Sequence, residues 1–242
     1  MSHPNPSSRR PELSRRALVT GAAWSVPLIA VASAAPVAAA SGVCTQDAQL
    51  SWQNTFTATD TSNGVGTFTT PTGEVVTYTV TVATGPNIEV PATSDNLNTT
   101  GDGIFLGDRQ TVAAANKEFD AAYTQTTTIT FDRPLANISF RVFDVDGSDF
   151  YREHLRVIGL PGAVATPGNR VELEPVSNTY RPTADLPIGP VVAGSVTYSS
   201  TGSTDSFIVE LTTPRTAVPP QGVLSHGVRM TNLTYTTACP AV

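Results

Sequence analysis

Charged side chains are scarce in this 242-residue chain: Asp, Glu, Lys and Arg together make up 14%, against about a quarter in an average soluble domain. Long salt-bridged helices need more, so a helical bundle is not expected. Basic residues are the scarcer sign, 14 against 20 acidic, for a formal charge of −6. Without a basic footprint, nucleic acid is excluded as a partner. Histidine occurs three times, and cysteine and tryptophan twice each. No HExxH, GxSxG, CxxC or P-loop pattern is present, which leaves the commonest hydrolase, metalloprotease, redox and nucleotide-binding signatures without support. No repeat of fixed period appears. The chain ends at Ala241-Val242 with neither an apolar tail nor an LPxTG-like sortase signal, so covalent wall attachment is not expected.

What the chain has instead is turn chemistry and β-branched residues. Hydrophobic residues reach 40%, with 18 Gly and 19 Pro, a composition that favours many short strands over helices. Thr-rich runs recur from Ala48 onward, separated by breaks such as Ser62-Asn63-Gly64, Pro71-Thr72-Gly73, Asp132-Arg133-Pro134 and Pro161-Gly162, each a recognised turn signal. The expected fold is all-β: an antiparallel β-sandwich of about 9–11 strands. Val112 to Phe119 holds good helix formers and is the one stretch with a helical expectation, as a loop ornament of one or two turns.

Residues 1–40 stand apart. A basic polar start leads into a weakly apolar stretch that ends in small residues at Ala38-Ala39-Ala40, the order of an export signal. Ser14-Arg15-Arg16-Ala17-Leu18-Val19 resembles the twin-arginine translocation motif, but lacks its usual Phe and following Lys. Residues 17–40 are long enough to cross a bilayer, but Gly21, Pro27 and Pro36 weaken an anchor reading. Cleavage would leave residues 41–242 as a single extracellular or cell-surface domain with no stable membrane insertion. Four of the 14 basic and one of the 20 acidic residues would leave with the leader, giving a formal charge of −9. Such a surface suits cations and neutral ligands. In an oxidising compartment Cys44 and Cys239, one near each end, read as a disulfide that closes nearly the whole domain.

The most pointed stretch is Ile138 to Asp149, ISFRVFDVDGSD, an alternating strand running into three aspartates. Ile138, Phe140 and Val142 share one face, and continuing the period of two puts Asp144 and Asp146 on that same core-facing side. A buried unpaired charge is costly, so either the strand ends by Phe143 or something positive neutralises the pair. Asp144, Asp146 and Asp149 offer clustered oxygens for calcium, which takes six to eight. They do not form an EF-hand, whose sixth-position Gly and twelfth-position Glu fall here on Asp149 and Leu155. Asp102, Asp108 and Glu153 are the candidate contributors from elsewhere. The competing account has Asp144 and Asp146 capping a turn, or pairing with Arg141, Arg152 or Arg156.

Phe131-Asp132-Arg133-Pro134-Leu135-Ala136-Asn137-Ile138-Ser139-Phe140, followed by Val142-Phe143-Asp144-Val145-Asp146, resembles a motif of extracellular β-sandwich domains from bacterial surface proteins. There a Phe-x-x-Pro-Val-x-Asn-Leu-Ser-Phe strand runs into Asp-Ile-Asp, and a further strand with an acidic residue follows. Glu153 would take that acidic place. The resemblance implies a jelly-roll-like surface domain and no catalytic residue.

Phe150, Tyr151 and Tyr180 are candidate ligand-binding aromatics, able to stack on a sugar ring or to tuck under loops. His226 would need a triad to be catalytic. Glu172 and Glu174 share a strand face, where a glycosidase would need a second carboxylate across the scissile bond. The expected function is a secreted or cell-surface binding module, for carbohydrate or envelope components, with a calcium-ordered loop. The alternatives are a structural or assembly protein without a ligand, and a sandwich-fold glycoside hydrolase or other hydrolase.

Overall fold

The computed structural model describes residues 45–91, 96–99, 103–184, 192–216 and 226–238. The leader, Cys44, Cys239 and Asp102 therefore lie outside the described residues. Thr45–Val242 form one compact unit. Among the described residues, no helix is long and apolar enough to cross a membrane.

Alternation of β-branched and polar residues produces a chain of strands: β1 (Thr45–Leu50), β2 (Phe56–Ala58), β3 (Asn63–Thr69), β4 (Val75–Thr84), β5 (Ile88–Glu89), β6 (Gly103–Gln110) and β7 (Thr124–Phe143). The second half continues with β8 (His154–Ile158), β9 (Val164–Pro167), β10 (Val171–Glu174), β11 (Thr179–Pro182), β12 (Val196–Ser199), β13 (Ser203–Thr212), β14 (His226–Thr231) and β15 (Leu233–Ala238). Every pairing among them is antiparallel. The fold is all-β, and its antiparallel arrangement is compatible with a β-sandwich.

Strand β7 is the spine. Its first part, around Thr126 to Thr130, is flanked by β4 and β13. Its second part pairs with β12 along one edge and with β15 and then β14 along the other. The expected turn at Asp132-Arg133-Pro134 is absent: one 20-residue strand runs through it. The pairing partners change there, which is where a strand tolerates the missing N–H of Pro134. The fifteen strands among the described residues exceed the expected number because of short additions such as β2, β5 and β9.

Two further expectations change. The first of the runs that begin at Ala48 is interrupted by one helical turn, α1 (Trp52–Thr55). That turn swings the fully buried Trp52 inward, where its indole Nε1 donates to the Thr231 carbonyl (2.9 Å) and its backbone N donates to Asn232 Oδ1 (3.0 Å). The same contact lies at the break in the tail, where Asn232 separates β14 from β15. Val112 to Phe119 forms no helix. A 3₁₀ turn follows at Ala121–Tyr123, with Asp120 accepting the Ala122 N–H at 2.9 Å.

Inward positions build one core. Val76, Tyr78 and Val80 from β4, Ile129, Ile138, Phe140 and Val142 from β7, Phe207, Val209 and Leu211 from β13, and Val228 and Met230 from β14 are all buried. Aromatic rings tie its layers, as in the stacked Phe140–Phe207 pair with centroids 5.2 Å apart. At one end the interior turns polar, with Asp108, Gln110, Gln125, Thr213 and Glu153 buried among the apolar side chains.

Candidate functional site

Strand β7 ends at Phe143 because the next residue leaves the extended region. Asp144 has φ +70°, a left-handed conformation that Asp tolerates better than most side chains. That single residue resets the alternation. Val145 takes the fully buried place, and its N–H donates to the Gly194 carbonyl at 3.0 Å. Asp144 and Asp146 are half-buried at the rim instead of pointing into the core. The loop then closes on itself: the Glu153 N–H donates to the Asp146 carbonyl (3.0 Å), the Asp146 N–H donates to Glu153 Oε2 (2.9 Å), and the Ser148 N–H donates to the Tyr151 carbonyl (2.9 Å).

Folding back in this way brings Asp144, Asp146, Tyr151 and Glu153 against Phe105 of β6 and His226 and Gly227 of β14, around a cavity of about 240 Å³. The Tyr151 hydroxyl donates to Asp146 Oδ1 at 2.8 Å, and its ring meets the His226 imidazole edge-on with centroids 3.9 Å apart. Glu153 is 1% exposed, and its Oε1 lies 3.9 Å from His226 Nδ1. Gly227 is required by close approach: a Cβ there would sit 2.3 Å from the Leu106 carbonyl oxygen and 2.6 Å from Gly107 Cα. Any side chain at Gly227 would push β14 off β6 and open the cavity wall.

The carboxyl groups hold one another away from the charged form. Burial, then the neighbouring Asp146, pushes Glu153 well above the usual carboxylate range, and Asp144 and Asp108 add to the effect. Burial and Asp146 raise Asp144 to about 6, with Arg229 opposing. Asp108 rises to about 7 through burial, offset by the Thr213 hydroxyl and the Arg215 guanidinium. Burial and the acids around it also raise the Tyr151 phenol. Concentrated shifts of this kind mark a functional-site candidate.

Of the six carboxylates expected around calcium, Asp144, Asp146 and Glu153 meet at this cavity. Asp108 is opposite His226 in the β6–β14 ladder, fully buried, and is not part of the cavity wall. Asp149 is exposed on the loop, and Asp102 is outside the described residues. Among the expected aromatics, Tyr151 lines the cavity and Phe150 is 58% exposed beside it. Tyr180 lies on β11, edge-on to Tyr198 with centroids 6.2 Å apart. Glu172 is paired with Arg181 at 3.3 Å, and Glu174 accepts from the Ser177 hydroxyl and, at 2.6 Å, from the Ser177 N–H, which together draw its pKa down to about 2. These two belong to a surface network. Phe105, Gly227 and Arg215 carried no signal in the sequence. His226 did, and only the β6–β14 pairing shows that it faces acids.

Among the described residues, no group of three or more His, Cys, Asp or Glu side chains is arranged to hold a metal ion. Asp144, Asp146 and Glu153 share a cavity without closing on a common point. No protein-family model, curated protein or solved structure matches the chain. Function therefore has to be argued from the site itself.

Proposed function

We propose that the chain is a secreted or cell-surface binding module whose 144–153 loop is ordered by a calcium ion held at Asp144, Asp146 and Glu153. The carrying observation is that three carboxylates line one cavity, with Glu153 almost wholly removed from water and surrounded by acids that raise its pKa. A buried carboxylate group of this kind needs either protons or a cation. The donor set fits calcium: carboxylate oxygens at a loop, with room in about 240 Å³ for water to complete the shell. Asp144 and Asp146 would supply outer oxygens and Glu153 the inner one. The ion would supply positive charge at the loop base, fixing the direction of Tyr151 and the exposed Phe150.

Carbohydrate or envelope components are the ligand class this reading assigns to the loop surface, with Phe150 and Tyr151 as the stacking side chains. Export rests on residues 1–40, and a jelly-roll order rests on the resemblance carried by Phe131 to Asp146. Thermal melting with millimolar calcium against chelator tests the loop site. Calcium is expected to raise Tm in the parent protein and to do nothing in Asp144→Ala. Equal melting of both proteins in both conditions removes the calcium reading.

A further inference from the structure

Arg109, Arg133, Arg156 and Arg181 each pair with a carboxylate. Among the described residues, the half-buried Arg141 meets none. Its Nε instead donates to the Thr197 hydroxyl at 2.9 Å, and its guanidinium carbon stands 5.5 Å from the centre of the Phe143 ring. Thr197 lies directly opposite on β12, and Phe143 two residues along β7, so the outward side of the sheet holds the group from two directions. Acidic residues outnumber basic ones 20 to 14 in the chain, and a fixed guanidinium without an acid calls for an anion from outside.

Arg141 shares a groove of about 540 Å³ with Gln49, Ser139, Thr197, Thr231 and Asn232. Each of those neighbours offers a hydroxyl or an amide. The pairs Gln49–Thr234, Thr234–Ser139 and Ser139–Ser199 carry the groove floor across β1, β15, β7 and β12. Both β15 and β12 are paired on either side, so this face presents no open strand edge to a peptide. The Thr231 hydroxyl accepts the Arg141 N–H at 3.0 Å, and Asn232 Oδ1 accepts the Trp52 N–H at 3.0 Å, which keeps the Asn232 Nδ2 for a ligand. With Nε of Arg141 engaged by Thr197, the remaining edge of the guanidinium is the Nη1 and Nη2 pair, which matches the two oxygens of a carboxylate.

One guanidinium among hydroxyls and amides suits a ligand that is singly charged and rich in hydroxyl groups. Phe140, the aromatic residue at the floor, is 3% exposed, so the groove offers little apolar surface to an acyl chain. Its volume falls within the range of about 300–1,000 Å³ that small-ligand sites occupy. We propose that this groove binds a polysaccharide containing uronic acid, with a sugar carboxylate on Arg141 and ring hydroxyls on Gln49, Ser139 and Asn232. The groove shares no residue with the 144–153 cavity and needs neither calcium nor the aromatic pair Phe150 and Tyr151.

The test is NMR titration of the full chain in chelator, which keeps it apart from the calcium reading. The probes are short oligosaccharides of galacturonate, of mannuronate and of alternating glucuronate and N-acetylglucosamine, with cellotetraose and chitotetraose as neutral controls. A uronate probe is expected to bind saturably, to weaken as salt is raised, and to move the amide signals of Ser139, Arg141, Asn232 and Thr234, while the neutral sugars bind at least about tenfold more weakly. Arg141→Gln should lose about tenfold or more in affinity, Arg141→Lys, which keeps the charge without the fork, should fall between, and Phe150→Ala should bind as the parent protein does. No saturable binding of any uronate probe at millimolar concentration overturns the proposal, as does equal binding of the neutral sugars or full affinity in Arg141→Gln. Signals that move only in the 144–153 loop of the parent protein also overturn it, by placing the sugar at Phe150 and Tyr151.

Discussion

Ionising Asp108 should cost this protein a large part of its stability, and Asp108→Asn should remove that cost. The carboxyl is fully buried, and its pKa rises from 3.8 to about 7 because burial outweighs the Thr213 hydroxyl and the Arg215 guanidinium beside it. The folded state therefore holds this proton where the unfolded chain has released it, so the stability this group contributes is complete below pH 3.8 and is lost as pH rises to about 7. Roughly three pKa units at 1.36 kcal/mol each give about 4 kcal/mol, a large share of a typical folding free energy of about 5–15 kcal/mol. For a domain of this size that corresponds to a fall in Tm of about 8–16 °C. Thermal melting by circular dichroism from pH 4.5 to 8.5, in chelator and choline chloride, reads it directly. The parent protein should lose stability toward high pH, and Asp108→Asn should show a clearly shallower slope, the remainder coming from Glu153 and Asp144, whose pKa values are raised in the same direction. Parallel profiles for the two proteins would refute the burial argument for Asp108.

Trp52 is fully buried, edge-on to Phe56 and Tyr78, and donates to the Thr231 carbonyl. Trp52→Ala should therefore cost about 3–5 kcal/mol in urea unfolding, and a loss under 1 kcal/mol would mean that α1 does not anchor the β14–β15 break. At the two ends, Thr45 opposite Ala238 is the last described pair of β1 with β15, and Cys44 and Cys239 are the next residues in each direction. The exported protein should lack two hydrogens by intact mass and resist thiol labelling until reduced. Labelling without reductant would contradict the disulfide.

Much of the fold was legible because alternation survives in single sequences: the Thr-rich, β-branched runs between turn signals such as Ser62-Asn63-Gly64 and Pro71-Thr72-Gly73 become antiparallel strands. The failures have local causes. Asp132-Arg133-Pro134 carries turn chemistry, yet β7 passes through it as its partners change. Trp52 breaks an extended run because two hydrogen bonds to β14 and the following Asn232 outweigh local preference. At the site, the period-two count raised the right problem for Asp144 and Asp146, and φ +70° at Asp144 supplied the outcome by ending the strand. Glu153 was legible as a nearby acid. Phe105 and Gly227 were not, and the place of His226 beside the acids was not, because only the long-range pairing of β14 with β6 brings them to the 144–153 loop. The burial of Gln110, Gln125 and Thr213 could not be read at all, since polar residues of these types look like surface positions in a Thr-rich chain.

Calorimetric titration of calcium into the purified mature protein tests the central claim most directly, with Glu153→Gln as the paired variant. The account predicts saturable binding of one calcium ion per chain in the parent protein and loss of that binding in Glu153→Gln, whose amide cannot provide the inner carboxylate. No heat of binding at millimolar calcium, or equal binding by both proteins, would contradict it.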